Sequence, residues 1–145
     1  MLFGCVEVYV HLVLVFRKKT VIAPSVERGL YAFLQAYSRE RLCPIKRING
    51  TDDHVHVLIK LPARLALDDL VKLLKNSTIA WLNVHDHPDF GWQEGYGAFS
   101  CSLCHLQPLS DYISNQKEHH RSLTFAHEMS TLTKAWGIKW VFEEP

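Results

Sequence analysis

Residues 52–61, Asp-Asp-His-Val-His-Val-Leu-Ile-Lys-Leu, constrain the fold more than any other stretch, because they alternate with the two-residue period of a β-strand. Side chains alternate faces along a strand, so Val55, Val57, Ile59 and Leu61 take one core-facing side while His54 and His56 project together from the other. Pro62 closes the strand. Any fold for this chain must therefore bury one face of a sheet and find a use for two adjacent imidazoles on its reverse. Such a pair can hold a metal ion, but only with a further donor from elsewhere in the chain.

The flanking segments supply the rest of an α+β pattern. Val6, Val8, Val10, Leu12, Leu14 and Phe16 alternate as a first strand, with Glu7, Tyr9 and His11 opposite. Pro24-Ser25 starts a helix whose stripe is Val26, Leu30, Phe33, Leu34 and Tyr37, and which ends before Pro44. Ile45–Ile48 reads as a second strand, with Asn49-Gly50 as the turn leading to the histidine strand. A second amphipathic helix runs from Leu67 to the polar His85-Asp86-His87-Pro88. After a glycine-punctuated loop come a short strand over Ala98–Leu103, helices over Leu109–His120 and Phe125–Ala135, and a last strand carrying Ile138, Trp140 and Phe142. This order lacks a regular βαβ repeat, which predicts a mostly antiparallel sheet with helices over one face.

With 145 residues and 48% hydrophobic residues, the chain is expected to form one domain over residues 1–145, with a core that needs no disulfides. Four cysteines, Cys5, Cys43, Cys101 and Cys104, lie in apolar segments without a secretory pattern ahead of them, which points to reduced thiols and a cytoplasmic location. No apolar run is long enough to span a bilayer, so no membrane partner is expected. Sixteen Lys+Arg balance fifteen Asp+Glu, so a polyanion site must be a local patch. Arg17-Lys18-Lys19 and Lys72 with Lys75 are the candidates, against the plainer reading of each as a solvated face.

In the helix beginning near Leu109, Tyr112 and Gln116 are four residues apart and share one face, which sets a phenol beside an amide oxygen. Taken alone, Tyr112 reads equally as a half-buried packing residue.

Three ordered segments alter that reading: the Asp53-His54-Val55-His56 strand, Trp92-Gln93-Glu94-Gly95-Tyr96-Gly97-Ala98-Phe99-Ser100, and Tyr112-Ile113-Ser114-Asn115-Gln116-Lys117-Glu118-His119-His120. Together they resemble the single-tyrosine HUH transposases of small insertion sequences and REP-associated elements. The likeness runs from His11 to Ile138. It implies a ferredoxin-like α+β domain acting on single-stranded DNA, commonly a hairpin at the element's end. It also implies that Tyr112 is the nucleophile, that His54, His56 and Gln116 are metal ligands, and that Tyr112 can act in trans within a homodimer. Cys101 and Cys104, and Asn76-Ser77-Thr78 after Lys75, depart from the commonest family pattern.

On this reading the tyrosine attacks a phosphate polarised by Mg²⁺ or Mn²⁺, leaving a 5′-phosphotyrosine and a free 3′-OH that permits later rejoining. Asp53 is a candidate to orient the His54 imidazole from behind. Arg17, Lys18, Lys19, Lys72 and Lys75 would track DNA phosphates, while Trp92, Tyr96 and Phe99 are either base-stacking surfaces or packing. The alternatives are a host-domesticated or inactive hairpin-binding relative, a metal-dependent nuclease that uses water, and a zinc-stabilised module built on Cys101 and Cys104.

Overall fold

The computed structural model describes residues 4–134, 137 and 138. Its elements run β1 (Tyr9–Val15), α1 (Pro24–Glu40), β2 (Ile45–Gly50), β3 (His54–Lys60), α2 (Leu67–Val84), β4 (Gly97–Cys101), α3 (Leu106–Ser114), α4 (Gln116–His119) and α5 (Phe125–Lys134). The strands form one sheet in the order β2-β3-β1-β4, and every neighbouring pair is antiparallel. This β-α-β-β-α-β order is the ferredoxin-like arrangement that the sequence resemblance implies.

The sheet is covered on both faces rather than on one. Leu12, Leu14, Val55, Val57 and Ile59 face α1 and α2, where they pack with Leu30, Leu34, Leu70, Leu74 and Leu82. On the reverse, Val13 and Val15 meet Phe125 and Met129 of α5, while Tyr9 and Leu58 meet Ile113 of α3. The physical reason is visible in β1, whose seven residues are all buried. Its uninterrupted run Leu12-Val13-Leu14-Val15 is apolar on both sides, as expected of a strand that packs both ways.

Other boundaries also shift. β1 begins at Tyr9 because its partner β3 ends opposite it at Lys60, which leaves Val6 and Val8 more than two-fifths exposed. Asn49 and Gly50 belong to β2, and the connection to β3 is Thr51–Asp53. A Cβ on Gly50 would lie 2.2 Å from the His54 carbonyl oxygen, so the chain can pass there only as glycine. α3 starts at Leu106, ahead of Pro108, since a proline in the first helical turn forfeits no intrahelical hydrogen bond. The helix expected over Leu109–His120 is interrupted at Asn115. Of the expected last strand, Trp140 and Phe142 lie outside the described residues, and Ile138 is not in a strand.

Polar contacts seat the α3–α4 segment on the β2 edge. Arg47 Nε donates to Ser110 Oγ at 3.0 Å, and Asn49 Nδ2 donates to the Ser114 carbonyl at 2.9 Å. Lys117 Nζ donates to Asn49 Oδ1, the Gly50 carbonyl and Glu27 Oε1. These contacts fix the Tyr112 helix over the face that carries the histidines.

Candidate active site

The β3 alternation places His54 and His56 side by side beneath α5, and both are fully buried. The Nε2 atoms of His54 and His56 lie 3.2 and 3.0 Å from one atom, Oε1 of Glu128. His120 Nε2 lies 3.0 Å from the same oxygen. The other carboxylate oxygen, Oε2, accepts a hydrogen bond from the Tyr112 hydroxyl and another, at 2.9 Å, from Gln116 Nε2. One carboxylate thus joins the two strand histidines to the tyrosine and glutamine of the α3–α4 segment, all within a single chain.

Two further contacts hold the rings from behind. Asp53 Oδ1 lies 2.5 Å from His54 Nδ1, and Thr51 Oγ1, which donates to Asp53 Oδ1 at 2.8 Å, also reaches His54 Nδ1 at 3.0 Å. The turn that lets the chain enter β3 therefore also orients its first imidazole. His56 Nδ1 lies 2.7 Å from Nε2 of His11, on the neighbouring strand β1. His11 and His56 are not directly opposite in the register, where His11 faces Leu58, but both project from the same sheet face.

Burial dominates the protonation of this cluster. It pushes His56 down to about 4 and His11 down to about 3, so both rings are neutral at pH 7. Burial also opposes charge on His54, but its contacts with Asp53 and Glu128 outweigh that and raise its pKa. Burial would raise the Glu128 carboxyl, yet hydrogen bonds from His120, His54 and His56 hold it well below the ordinary carboxylate range. The Tyr112 phenol is raised above its ordinary value, first by burial and then by Glu128.

The donor set suits a divalent cation. His54, His56 and Glu128 each offer a ligand atom, all within 4.8 Å of one another, and no other such His/Cys/Asp/Glu group is found among the described residues. Gln116 Oε1 is buried without a hydrogen-bond partner among the described residues, an acceptor with unused capacity beside that cluster. Two imidazoles, a carboxylate and an amide form a mixed nitrogen and oxygen set, harder than histidine alone and compatible with Mn²⁺ or Mg²⁺.

Sequence reasoning missed Glu128 and His11 as site residues, and it named His120 only as part of the Tyr112 segment. The available signal was in α5, where Phe125, Met129, Leu132 and Thr133 mark the inward stripe and Glu128 falls on it. A carboxylate on a buried stripe requires partners.

The cations divide into two groups. Arg17 donates to the Asp89 carbonyl at 2.8 Å and lies so close over Gly91 that a Cβ there would meet its guanidinium carbon at 2.8 Å. Lys75 donates to the carbonyls of Gln93 and Gly95, and Lys72 pairs with Asp68 one turn away. Lys18 and Lys19 are exposed and engage no other described residue. Trp92 and Tyr96 pack against the main core, whereas Phe99 packs on the α5 side near the site.

A family model described as "Transposase IS200 like" matches residues 5–116, more than half of the chain. The chain belongs to the IS200-like transposase family. For this IS200-like protein the match ends at Gln116, so His120 and Glu128 reach the site from beyond the matched residues. No curated protein sequence matches it. Among solved structures, it is similar to a Deinococcus radiodurans R1 protein assigned as a transposase, with a TM-score of 0.61 and 20% identity over 80% of this chain and 98% of that one. It is also similar to a REP-associated tyrosine transposase bound to a REP hairpin, with a TM-score of 0.62 and 13% identity over 99% of this chain and 90% of that one. At these identities the two structures establish a shared fold. No described helix is long and apolar enough to cross a membrane.

Proposed function

We propose that this chain is a transposase that cleaves and rejoins single-stranded DNA through attack by Tyr112, forming a 5′-phosphotyrosine. The observation that carries this reading is the shared carboxylate, with Tyr112 and Gln116 on one oxygen of Glu128 and His54 and His56 on the other. A nucleophile and a metal-compatible donor set thereby meet at one point. The hairpin bound by the REP-associated neighbour supports a DNA hairpin as the substrate.

His54, His56 and Glu128, with Gln116 Oε1, would hold Mg²⁺ or Mn²⁺. A cation there would supply Lewis-acid polarisation of the scissile phosphate. Tyr112 Oη forms the new bond to phosphorus as the bond to the 3′-oxygen breaks, and that oxygen leaves as a 3′-OH carrying the proton lost by the phenol. Glu128 orients the phenol rather than deprotonating it. Burial and Glu128 raise the Tyr112 phenol, while the histidine contacts hold Glu128 below the ordinary carboxylate range, so the proton stays on the phenol in the resting site. Asp53 and His11 fix the ring planes of His54 and His56. Rejoining is the reverse attack, by a DNA 3′-OH on the phosphotyrosine, with the phenolate as a good leaving group. Of Arg17, Lys18, Lys19, Lys72 and Lys75, it is Lys18 and Lys19 that are free to meet DNA phosphates.

The deciding experiment incubates the protein with single-stranded hairpin DNA and Mn²⁺ or Mg²⁺ and looks for a covalent protein–DNA adduct on a denaturing gel. Wild type forms the adduct, while Tyr112→Phe and His54→Ala do not; cleavage by Tyr112→Phe at the wild-type rate overturns the tyrosine mechanism in favour of a nuclease that uses water. Hairpin binding without an adduct marks a domesticated or inactive relative. Because Tyr112 meets the histidines of its own chain, we assign cleavage to residues of one chain. Mixing Tyr112→Phe with His54→Ala protein then restores no adduct, whereas a tyrosine donated across a homodimer would restore it.

A further inference from the structure

A cavity of about 450 Å³ lies against the site and has no part in the chemistry above. Three of its walls are each one contact or one helical turn from a site residue. His11 lines it and is bonded through Nε2 to His56. Leu109 lines it one turn before Tyr112, and Leu132 lines it one turn after Glu128. Phe99, opposite His11 in the β1–β4 register with ring centroids 5.9 Å apart, contributes a second flat ring. Its exposed lining residues are Ser100, Ser102, His105 and Pro108, with the Ser102 hydroxyl 2.5 Å from His105 Nδ1.

The chemistry of the lining selects a class of ligand. Among the described residues no Asp, Glu, Lys or Arg lines the cavity, and its two imidazoles are already engaged, His11 by His56 and His105 by the Ser102 hydroxyl. Aromatic and aliphatic walls with hydroxyls at the rim suit a flat, neutral, hydrogen-bonding group, and the volume falls in the range of small-molecule sites. A nucleobase has these properties, and stacking on aromatic side chains is how single strands are commonly held. We infer that this cavity receives the nucleobase of a nucleotide flanking the scissile phosphate, seated against Phe99 while its backbone runs to Tyr112. The inference rests on the strand-cleavage reading for the identity of that phosphate.

The test titrates dAMP, dCMP, dGMP and dTMP into the isotopically labelled full chain and follows the Phe99, Leu109 and Leu132 side-chain resonances. Saturable shifts at these three residues are expected for at least one nucleotide. Ser102→Phe, a substitution at an exposed rim position outside the core, should weaken that binding at least ten-fold by filling the opening. Phe99→Leu keeps an apolar group in the wall but removes the ring, and should weaken it roughly ten-fold. Absence of saturable shifts at these residues, or shifts that survive Ser102→Phe unchanged, overturns the cavity assignment. The adduct assay separates the two readings. An adduct with an unresponsive cavity removes only the base site, and nucleotide binding in the cavity without an adduct removes only the strand-cleavage reading.

Discussion

His11 Nε2 lies 2.7 Å from His56 Nδ1, so the imidazole that presents its Nε2 to Glu128 is gripped from behind by a second, equally buried imidazole. Both rings are neutral at pH 7, and only one proton can sit between them. With His56 Nε2–H facing Glu128, the shared proton belongs to His11. When His56 Nε2 ligates a cation, its proton must move to Nδ1, and His11 becomes the acceptor. Nitrogen-15 NMR of the histidine rings should therefore show both residues exchanging tautomers on Mn²⁺-free Mg²⁺ or Zn²⁺ titration. His11→Phe should weaken Mn²⁺ binding by about 10–100-fold in calorimetry while the protein stays folded.

Glu128 is the shared partner of His54 and His56 from β3, Tyr112 from α3 and Gln116 from α4. Glu128→Ala leaves those donors buried without an acceptor and should destabilise the protein by about 3–5 kcal/mol in urea unfolding. Glu128→Gln keeps the shape and one acceptor oxygen, so it should fold more stably than the alanine variant yet bind Mn²⁺ more weakly than wild type. Equal Mn²⁺ affinity for Glu128→Gln and wild type would remove the carboxylate from the ligand set.

Acid should weaken the metal-free protein well above the range where ordinary carboxylates titrate. His56 and His11 have folded pKa values depressed to about 4 and about 3, so their contribution is complete above 6.5 and is lost as pH falls from there through those values. The depressed Glu128 acts in the same direction below 4.5. His54, with a raised value, acts oppositely: its contribution is present below 6.5 and fades as pH rises through its folded pKa. Because His54 acts only above 6.5, the two depressed histidines are unopposed below it, and urea midpoints should fall as pH drops from 6.5 to 4, at no more than about 1.4 kcal/mol per pH unit for each net proton. His11→Phe should flatten that slope.

Lys18 and Lys19 differ from Lys75 in what holds them. Replacing Lys18 and Lys19 with alanine should lower single-stranded DNA affinity and reduce its logarithmic salt slope by about 0.7 per lost phosphate contact, with no change in melting temperature. Lys75→Ala should instead lose about 1–2 kcal/mol of stability, because its ammonium ties the Gln93 and Gly95 carbonyls to α2. A stability loss for the Lys18/Lys19 pair, or none for Lys75, would reverse these assignments.

The parts of the site that were legible in the sequence are those that follow from local periodicity. A two-residue period put His54 and His56 on one face, and a four-residue spacing put Tyr112 beside Gln116 despite the break at Asn115. Glu128 escaped because its partners lie 72 and 74 residues away on β3, a distance no local pattern encodes. His11 escaped for the same reason, since its value depends on the β1–β3 pairing that brings it to His56. The double burial of β1 was written in its Leu-Val-Leu-Val run, which alternation read as one face because it was sought with a two-residue period.

The segment that matches the family model stops at Gln116, twelve residues short of Glu128. A fragment cut at that limit would retain every residue by which the family is recognised and would still uncover His54, His56 and Gln116 to water, stripped of their common acceptor and of the Phe125 and Met129 side chains that roof Val13 and Val15. For this chain, kinship and structural self-sufficiency end at different points, and the shortest piece that can work as a protein is longer than the piece that announces its ancestry.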